Sequence, residues 1–280
     1  KAGRLNHGGR WREEREWPLA RSTGVRYYLR PNGALSPTPH KRSSSYSTFR
    51  FDPEEPVPTI GGNISSLDSL VPPPAYISDP STLPAAARRH PITPNGGWDQ
   101  RERRDLFGAR PPYTSPLGAR KDVLVFQTSP LKQDIEVTGP IEVILWVASD
   151  APDTDFTAKL IDLYPPNNDY PKGYALNISD SIFRMRYRDS WEHPKMMQQG
   201  EVYQMAITLY PTSNLFVAGH RIRLDISSSN FPRFDVNPNT GEPLGQNTRS
   251  QVAQNTTHHS SDYPSHVILP IVVSGDHGSA

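Results

Sequence analysis

A serine nucleophile of the α/β-hydrolase kind needs the spacing G-x-S-x-G, which holds the hydroxyl exposed on a strained turn between strand and helix. No such string occurs in the 280 residues. The nearest Gly/Ser cluster, Gly61-Gly62-Asn63-Ile64-Ser65-Ser66, lacks the closing glycine, and no helical pattern follows it. Ser274, Asp276 and His277 have the composition of a triad, but they close the chain, where a fraying tail cannot keep the required hydrogen bonds. With zero cysteines there is no thiol nucleophile, disulfide framework or zinc ribbon. His258, His259, Asp262 and His266 fall within nine residues, yet strand neighbours such as His258 and His259 point to opposite faces, so they read as strand and turn histidines rather than metal ligands. No P-loop or dinucleotide-binding glycine string follows a strand. The expectation is a chain with no catalytic residue, metal or cofactor of its own.

Aromatic rings are the other chemistry on offer, since Trp11, Trp17, Trp98, Trp146 and Trp191 could stack on sugars. Trp146 sits in an apolar strand pattern and reads as core. Trp98, within Gly96-Gly97-Trp98-Asp99-Gln100-Arg101, reads either as a rim residue or as a plug over a neighbouring domain. Arg101, Arg103 and Arg104 are interrupted by Glu102 and Asp105, the pattern of a solvated or salt-bridged face.

Lys+Arg 30 against Asp+Glu 29 leaves a formal charge of +1, so no global field recruits nucleic acid or an anionic membrane. The longest apolar run, 267–273, has seven residues including Pro270, whereas a membrane-spanning helix needs ~20. Glycosylation sequons at Asn63, Asn177 and Asn255 are about as many as this Asn, Ser and Thr content produces by chance, and they assign no compartment. The chain opens on Lys1 without a signal-peptide core, as a piece of a longer protein would.

The elements that must position these residues are short. Thirty prolines in 280 residues are roughly twice the usual ~5%, which argues against long helices. Residues 1–22 are basic and irregular, an entry or linker segment. Period-two alternation predicts strands at 25–29, 47–51, 122–128, 135–147, 156–163, 182–187, 202–209, 221–227 and 265–273. The fourth is expected to break at Thr138-Gly139-Pro140 into two strands joined by a tight connection. Ile222, Leu224 and Ile226 share one strand face, and Arg221, Arg223 and Asp225 the other; Phe183, Met185 and Tyr187 alternate likewise with Arg184, Arg186 and Arg188. Short helices are expected only near 12–17 or 246–253. Prolines recur through 52–117, a long excursion without regular elements. The expected architecture is an all-β jelly-roll sandwich over 23–273 with this proline-rich excursion and a tail at 274–280.

Several strings in order resemble the C-terminal domain of the X-Pro dipeptidyl-peptidase/cocaine esterase family. They are Trp11-Arg12, Trp17-Pro18, Tyr27-Tyr28-Leu29, Asp52-Pro53, Pro56-Val57-Pro58, Gly61-Gly62, Asp99-Gln100-Arg101 and Asp122-Val123-Leu124. Thr154-Asp155-Phe156-Thr157-Ala158-Lys159-Leu160, Arg184-Met185-Arg186-Tyr187-Arg188, Gly219-His220-Arg221-Ile222, Asn239-Thr240-Gly241 and Pro264-Ser265-His266 continue the series. The resemblance implies a galactose-binding-like jelly roll that follows and packs on an α/β-hydrolase domain of the same parent protein. It implies a serine hydrolase acting on a small ester, amide or X-Pro peptide, with all three triad residues upstream of Trp11. Residues 1–10 depart from the family, and Asn6-His7-Gly8-Gly9 is not its catalytic histidine motif. Carried over, the loop after Pro-Val-Pro and Gly-Gly places Asn63, Ile64, Ser65 and Ser66 at the substrate rim; the alternative is a turn that only closes the sandwich. Trp98 joins them as a rim candidate from its own place in the long loop. The competing reading of the whole chain is a free-standing carbohydrate-binding jelly roll.

Overall fold

Alternating apolar residues bring the strands together into two facing layers. The computed structural model describes residues 11–62, 96–104, 106 and 108–272. Its strands are β1 (Ser22–Arg30), β2 (Ala34–Ser36), β3 (Tyr46–Phe51), β4 (Leu124–Gln127), β5 (Ile135–Ser149), β6 (Asp155–Tyr164), β7 (Tyr174–Arg184), β8 (Tyr203–Phe216), β9 (Arg221–Ser227), β10 (Ala253–His258) and β11 (His266–Val272). Among the described residues no helix reaches seven residues, and none is long and apolar enough to cross a membrane.

The hydrogen-bonded path runs β3-β10-β5-β11-β1-β2-β4-β9-β6-β7, with β8 also paired to β5. β10 and β11 lie end to end along one edge of β5, while β8 takes the other. The path doubles back on itself as a jelly-roll β-sandwich. Val143, Leu145 and Val147 of β5, Ile207 of β8 and Leu269 of β11 pack in one core with Phe126 of β4, Phe156 and Leu160 of β6 and Leu224 of β9. Phe49 and Phe156 meet edge to face across the layers at 6.3 Å. Phe51, Phe126, Phe156 and Phe216 are each under 2% exposed, and full burial of such a side chain contributes roughly 1.5–3 kcal/mol.

Four expectations are corrected. β5 is one 15-residue strand rather than two. Its register against β8 shifts between Gly139 and Ile141, so Pro140, which has no N–H to give, sits where the ladder is already interrupted. Gly139 takes φ 143°; a Cβ there would lie 2.9 Å from Pro270. The expected strand at 182–187 is the tail of β7, and Met185–Tyr187 form a 3-10 turn. No helix forms at 12–17 or 246–253. Trp146 lies on the face opposite Leu145 and Val147, half-buried against Tyr263 at 5.2 Å, and so is not core.

Candidate functional site

β6 is buried at every position from Asp155 to Asp162. Phe156, Ala158 and Leu160 enter the core; Thr157, Lys159 and Ile161 point the other way. β9 repeats this, with Ile222, Leu224 and Ile226 in the core and Arg223, Asp225 and Ser227 buried on its other face. That second face is roofed by the two arms of the excursion.

The outgoing arm follows residues 229–231. Val57 N donates to Ser229 Oγ (2.9 Å), Phe231 N to Val57 O (2.9 Å) and Thr59 N to Phe231 O (2.7 Å). The returning arm caps β7: Trp98 N donates to Asn177 Oδ1 (2.9 Å), Gln100 N to Ala175 O (3.0 Å), and Ala175 N to Asp99 Oδ1 (2.9 Å). The arms join where Gly62 and Gly96 exchange reciprocal backbone hydrogen bonds of 2.8 and 3.0 Å. Val57, Ile60, Leu106, Leu117 and Val123 form a second apolar cluster beneath them.

Gln100, 1% exposed, ties the roof to the sheet. Its Nε2 donates to Ile60 O on one arm (2.8 Å) and Trp98 O on the other (3.0 Å), while its Oε1 accepts from Lys159 Nζ (2.7 Å). Burial pushes the Lys159 ammonium below its ordinary value, and the nearby Asp180 and Asp225 carboxylates oppose that shift. Arg223 holds Asp225 through two bonds of 2.6 and 2.7 Å. Arg233 pairs with Asp180, whose other oxygen accepts from Asn230 Nδ2 at 3.0 Å.

Of the residues singled out from sequence, Trp98 is half-buried, packed against the apolar cluster beneath the arms, with the Arg103 guanidinium 4.4 Å above its ring. Asn63, Ile64, Ser65 and Ser66 lie outside the described residues, directly after Gly62. Arg101 pairs with Asp99 at 3.5 Å, and Arg104 stacks 5.1 Å over Tyr113. Asn177 and Asn255 are 3% and 0% exposed, so neither sequon can carry a glycan on the folded chain. Sequence reasoning gave no role to Lys159, Gln100, Asp180 or Arg233. The one signal was a lone charge inside Phe156-Thr157-Ala158-Lys159-Leu160-Ile161, a run too apolar to leave it in solvent.

The neck between the arms yields a direct test. Gly61 has φ +67°, and a Cβ there would stand 2.5 Å from Gly96 O and 2.6 Å from Trp98 Cδ1. The left-handed backbone alone costs a non-glycine residue about 1–2 kcal/mol. Gly61→Ala is expected to speed hydrogen exchange at the Gly62 and Gly96 amides by roughly tenfold or more, 1.4 kcal/mol being about a factor of ten. Unchanged protection would show that the neck does not depend on Gly61.

The fold and this roofed, ion-paired face define an all-β jelly-roll domain. The chain belongs to the family of X-Pro dipeptidyl-peptidase C-terminal non-catalytic domains, which it matches over residues 3–268. It is similar to the cocaine esterase of Rhodococcus sp. (strain MB1 Bresler), with 34% identity over 272 residues, covering 94% of this chain and 40% of that protein. Among solved structures it is similar to an aminopeptidase from a marine sediment Thaumarchaeota archaeon (TM-score 0.74, 25% identity, 96% of this chain and 40% of that one). It is also similar to an α-amino acid ester hydrolase (TM-score 0.67, 29% identity, 89% and 36%). The chain thus spans about two fifths of the length of these relatives.

Proposed function

We propose that the chain, with its jelly roll over residues 23–273, is the C-terminal domain of a serine hydrolase acting on a small ester, amide or X-Pro peptide. It packs on the α/β-hydrolase domain of the same parent protein and shapes the substrate rim. The observation that supports this reading is the match over residues 3–268 to a non-catalytic domain family, together with hydrolase relatives of which the chain covers only 40%. In this division of labour the partner domain supplies nucleophile, base and oxyanion donors. The two arms set the base of the rim, where Asn63, Ile64, Ser65, Ser66 and Trp98 bound the acyl or peptidyl group. Gln100 and Lys159 act at one remove, as positioning residues for the arms.

The 280-residue chain alone is expected to turn over neither p-nitrophenyl acetate nor Gly-Pro p-nitroanilide above buffer. Turnover abolished by a serine-directed phosphonate whose label maps within the chain would overturn the non-catalytic assignment. Adding the separately expressed hydrolase domain should slow hydrogen exchange in residues 52–62 and 96–117. Exchange that does not change, with no complex on sizing, removes the packing role.

One feature favours the free-standing carbohydrate module instead. Trp191 is 73% exposed; its ring stacks on Tyr187 at 5.7 Å and meets Phe183 at a tilt, 5.5 Å away, an open aromatic platform. Saturable glycan binding that Trp191→Ala abolishes would establish that reading.

A further inference from the structure

A two-layer sandwich has two outer faces, and the arms roof only the one on β6, β7 and β9. The other is centred on β11, with β1 hydrogen-bonded along one side of it and β5 along the other. On this face the outward side chains stand in rows that cross the three strands. Tyr28, His266 and Ile144 are paired in one row, and Arg26, Ile268 and Glu142 in the next. Arg26 and Glu142 are exposed, and the other four are partly so.

The centre of these rows is apolar: Ile144 and Ile268 flank the Tyr28 and His266 rings, which lie 5.2 Å apart. Charge stands at the two sides. Arg26 and Glu142 lie one strand either way from Ile268, so they are about 10 Å apart at ~4.8 Å per strand. Neither side chain has an ion-pair or hydrogen-bond partner among the described residues.

We propose that a second copy of this chain docks on this face, about a two-fold axis that runs along β11. Rotation about that axis lays β1 of each copy over β5 of the other. Arg26 then meets Glu142 of the second copy, and Glu142 meets its Arg26 in return. Tyr28 likewise covers Ile144 on both sides, while Ile268 packs on its own counterpart. His266 also meets its counterpart; burial holds its imidazole below the ordinary value, so it brings no charge into the contact at pH 7. A surface shaped for an unrelated partner has no need to carry both members of every pair, whereas an isologous one must. The face lies opposite the roof, so this contact goes beyond docking on a hydrolase domain and leaves the arms free.

The test is sedimentation equilibrium of the 280-residue chain, and the expected species has twice the mass of one chain. A chain still monomeric at about 100 μM, where a Kd of about 10 μM leaves most of it paired, overturns the proposal. Arg26→Glu should weaken the dimer by about tenfold or more, because like charges then face each other twice. Adding Glu142→Arg should restore it to within about threefold of the parent, since the pair is then merely reversed. Both positions are exposed, so neither substitution disturbs the core. Equal weakening in the single and double variants overturns the proposal, and so does a separately expressed hydrolase domain that displaces the second copy from β11 by hydrogen exchange.

Discussion

Asp153→Ala is expected to destabilise the chain by about 3–5 kcal/mol, the usual cost of breaking a buried ion pair by removing one partner. Asp153 is 0% exposed and Arg186 4%. Asp153 Oδ2 accepts from Arg186 Nε at 2.7 Å and from Asn237 Nδ2 at 2.8 Å, and its Oδ1 accepts from the Arg186 backbone N–H at 2.9 Å. Truncation leaves the Arg186 backbone N–H without its acceptor and the buried guanidinium without its counter-charge, holding only Glu242 O at 3.0 Å, while Asn237 Nδ2 keeps Asp155 Oδ1 at 2.7 Å. It thereby loosens the 3-10 turn that ends β7. Against a total stability of about 5–15 kcal/mol, the urea midpoint should fall by a large fraction. Asp153→Leu combined with Arg186→Met should recover part of the loss, because an apolar pair leaves no charge to solvate. A single-variant loss under about 1 kcal/mol would mean that the pair contributes no more than a surface one.

The second large effect is a dependence on pH. His259 is 2% exposed, with Ser45 Oγ 2.8 Å from Nδ1, Ser47 Oγ 3.0 Å from Nε2, and the Phe126 ring 5.9 Å away. Burial pushes the imidazole down to about 4 from the ordinary 6.5, with the neighbouring His40 and His258 pressing in the same direction. The folded state therefore prefers neutral His259, and the unfolded chain binds the proton first as pH falls. Stability from this residue is complete above pH 6.5 and is lost as pH drops toward 4. At about 1.36 kcal/mol per pH unit the loss is about 3 kcal/mol. Burial lowers His258 and His266 too, so their contributions have the same sign. Denaturation midpoints at pH 7 and pH 5 should differ markedly in the parent chain. His259→Gln, uncharged and still able to hydrogen-bond, should flatten the dependence by about one proton. An unaltered slope would place the effect elsewhere.

The sequence disclosed strands where an apolar face alternates with a polar one, and hid them where both faces are polar. β9 was read at its observed bounds, Arg221–Ser227, because Ile222, Leu224 and Ile226 recur at period two. β10 was missed and partly taken for helix. Its buried positions are Ala253, Asn255 and Thr257, and Asn255 is held by Thr154, Ser228 and Ser149 rather than by apolar contact. β7 was placed too late in the chain for the same reason, since Asn177, Ser179 and Asp180 are all buried. Burial of both faces of β6 and β9 was not legible either. It follows from the roof, and a proline-rich excursion shows no periodicity that says where it docks. Trp98 stands in that excursion, and its partners, Asn177 on β7 and the cluster around Ile60, come from distant parts of the chain. Hydrophobic pattern encodes which face a strand buries and is silent on which loop buries the reverse.

The reciprocal pair between Gly62 and Gly96 makes the excursion a closed stem. The two arms are thereby latched to each other at their tips, and the latch consists of backbone groups alone. Backbone groups neither titrate nor carry a net charge for salt to screen, so changes of pH and ionic strength reach the roof through the charged side chains beneath it and leave the latch in place.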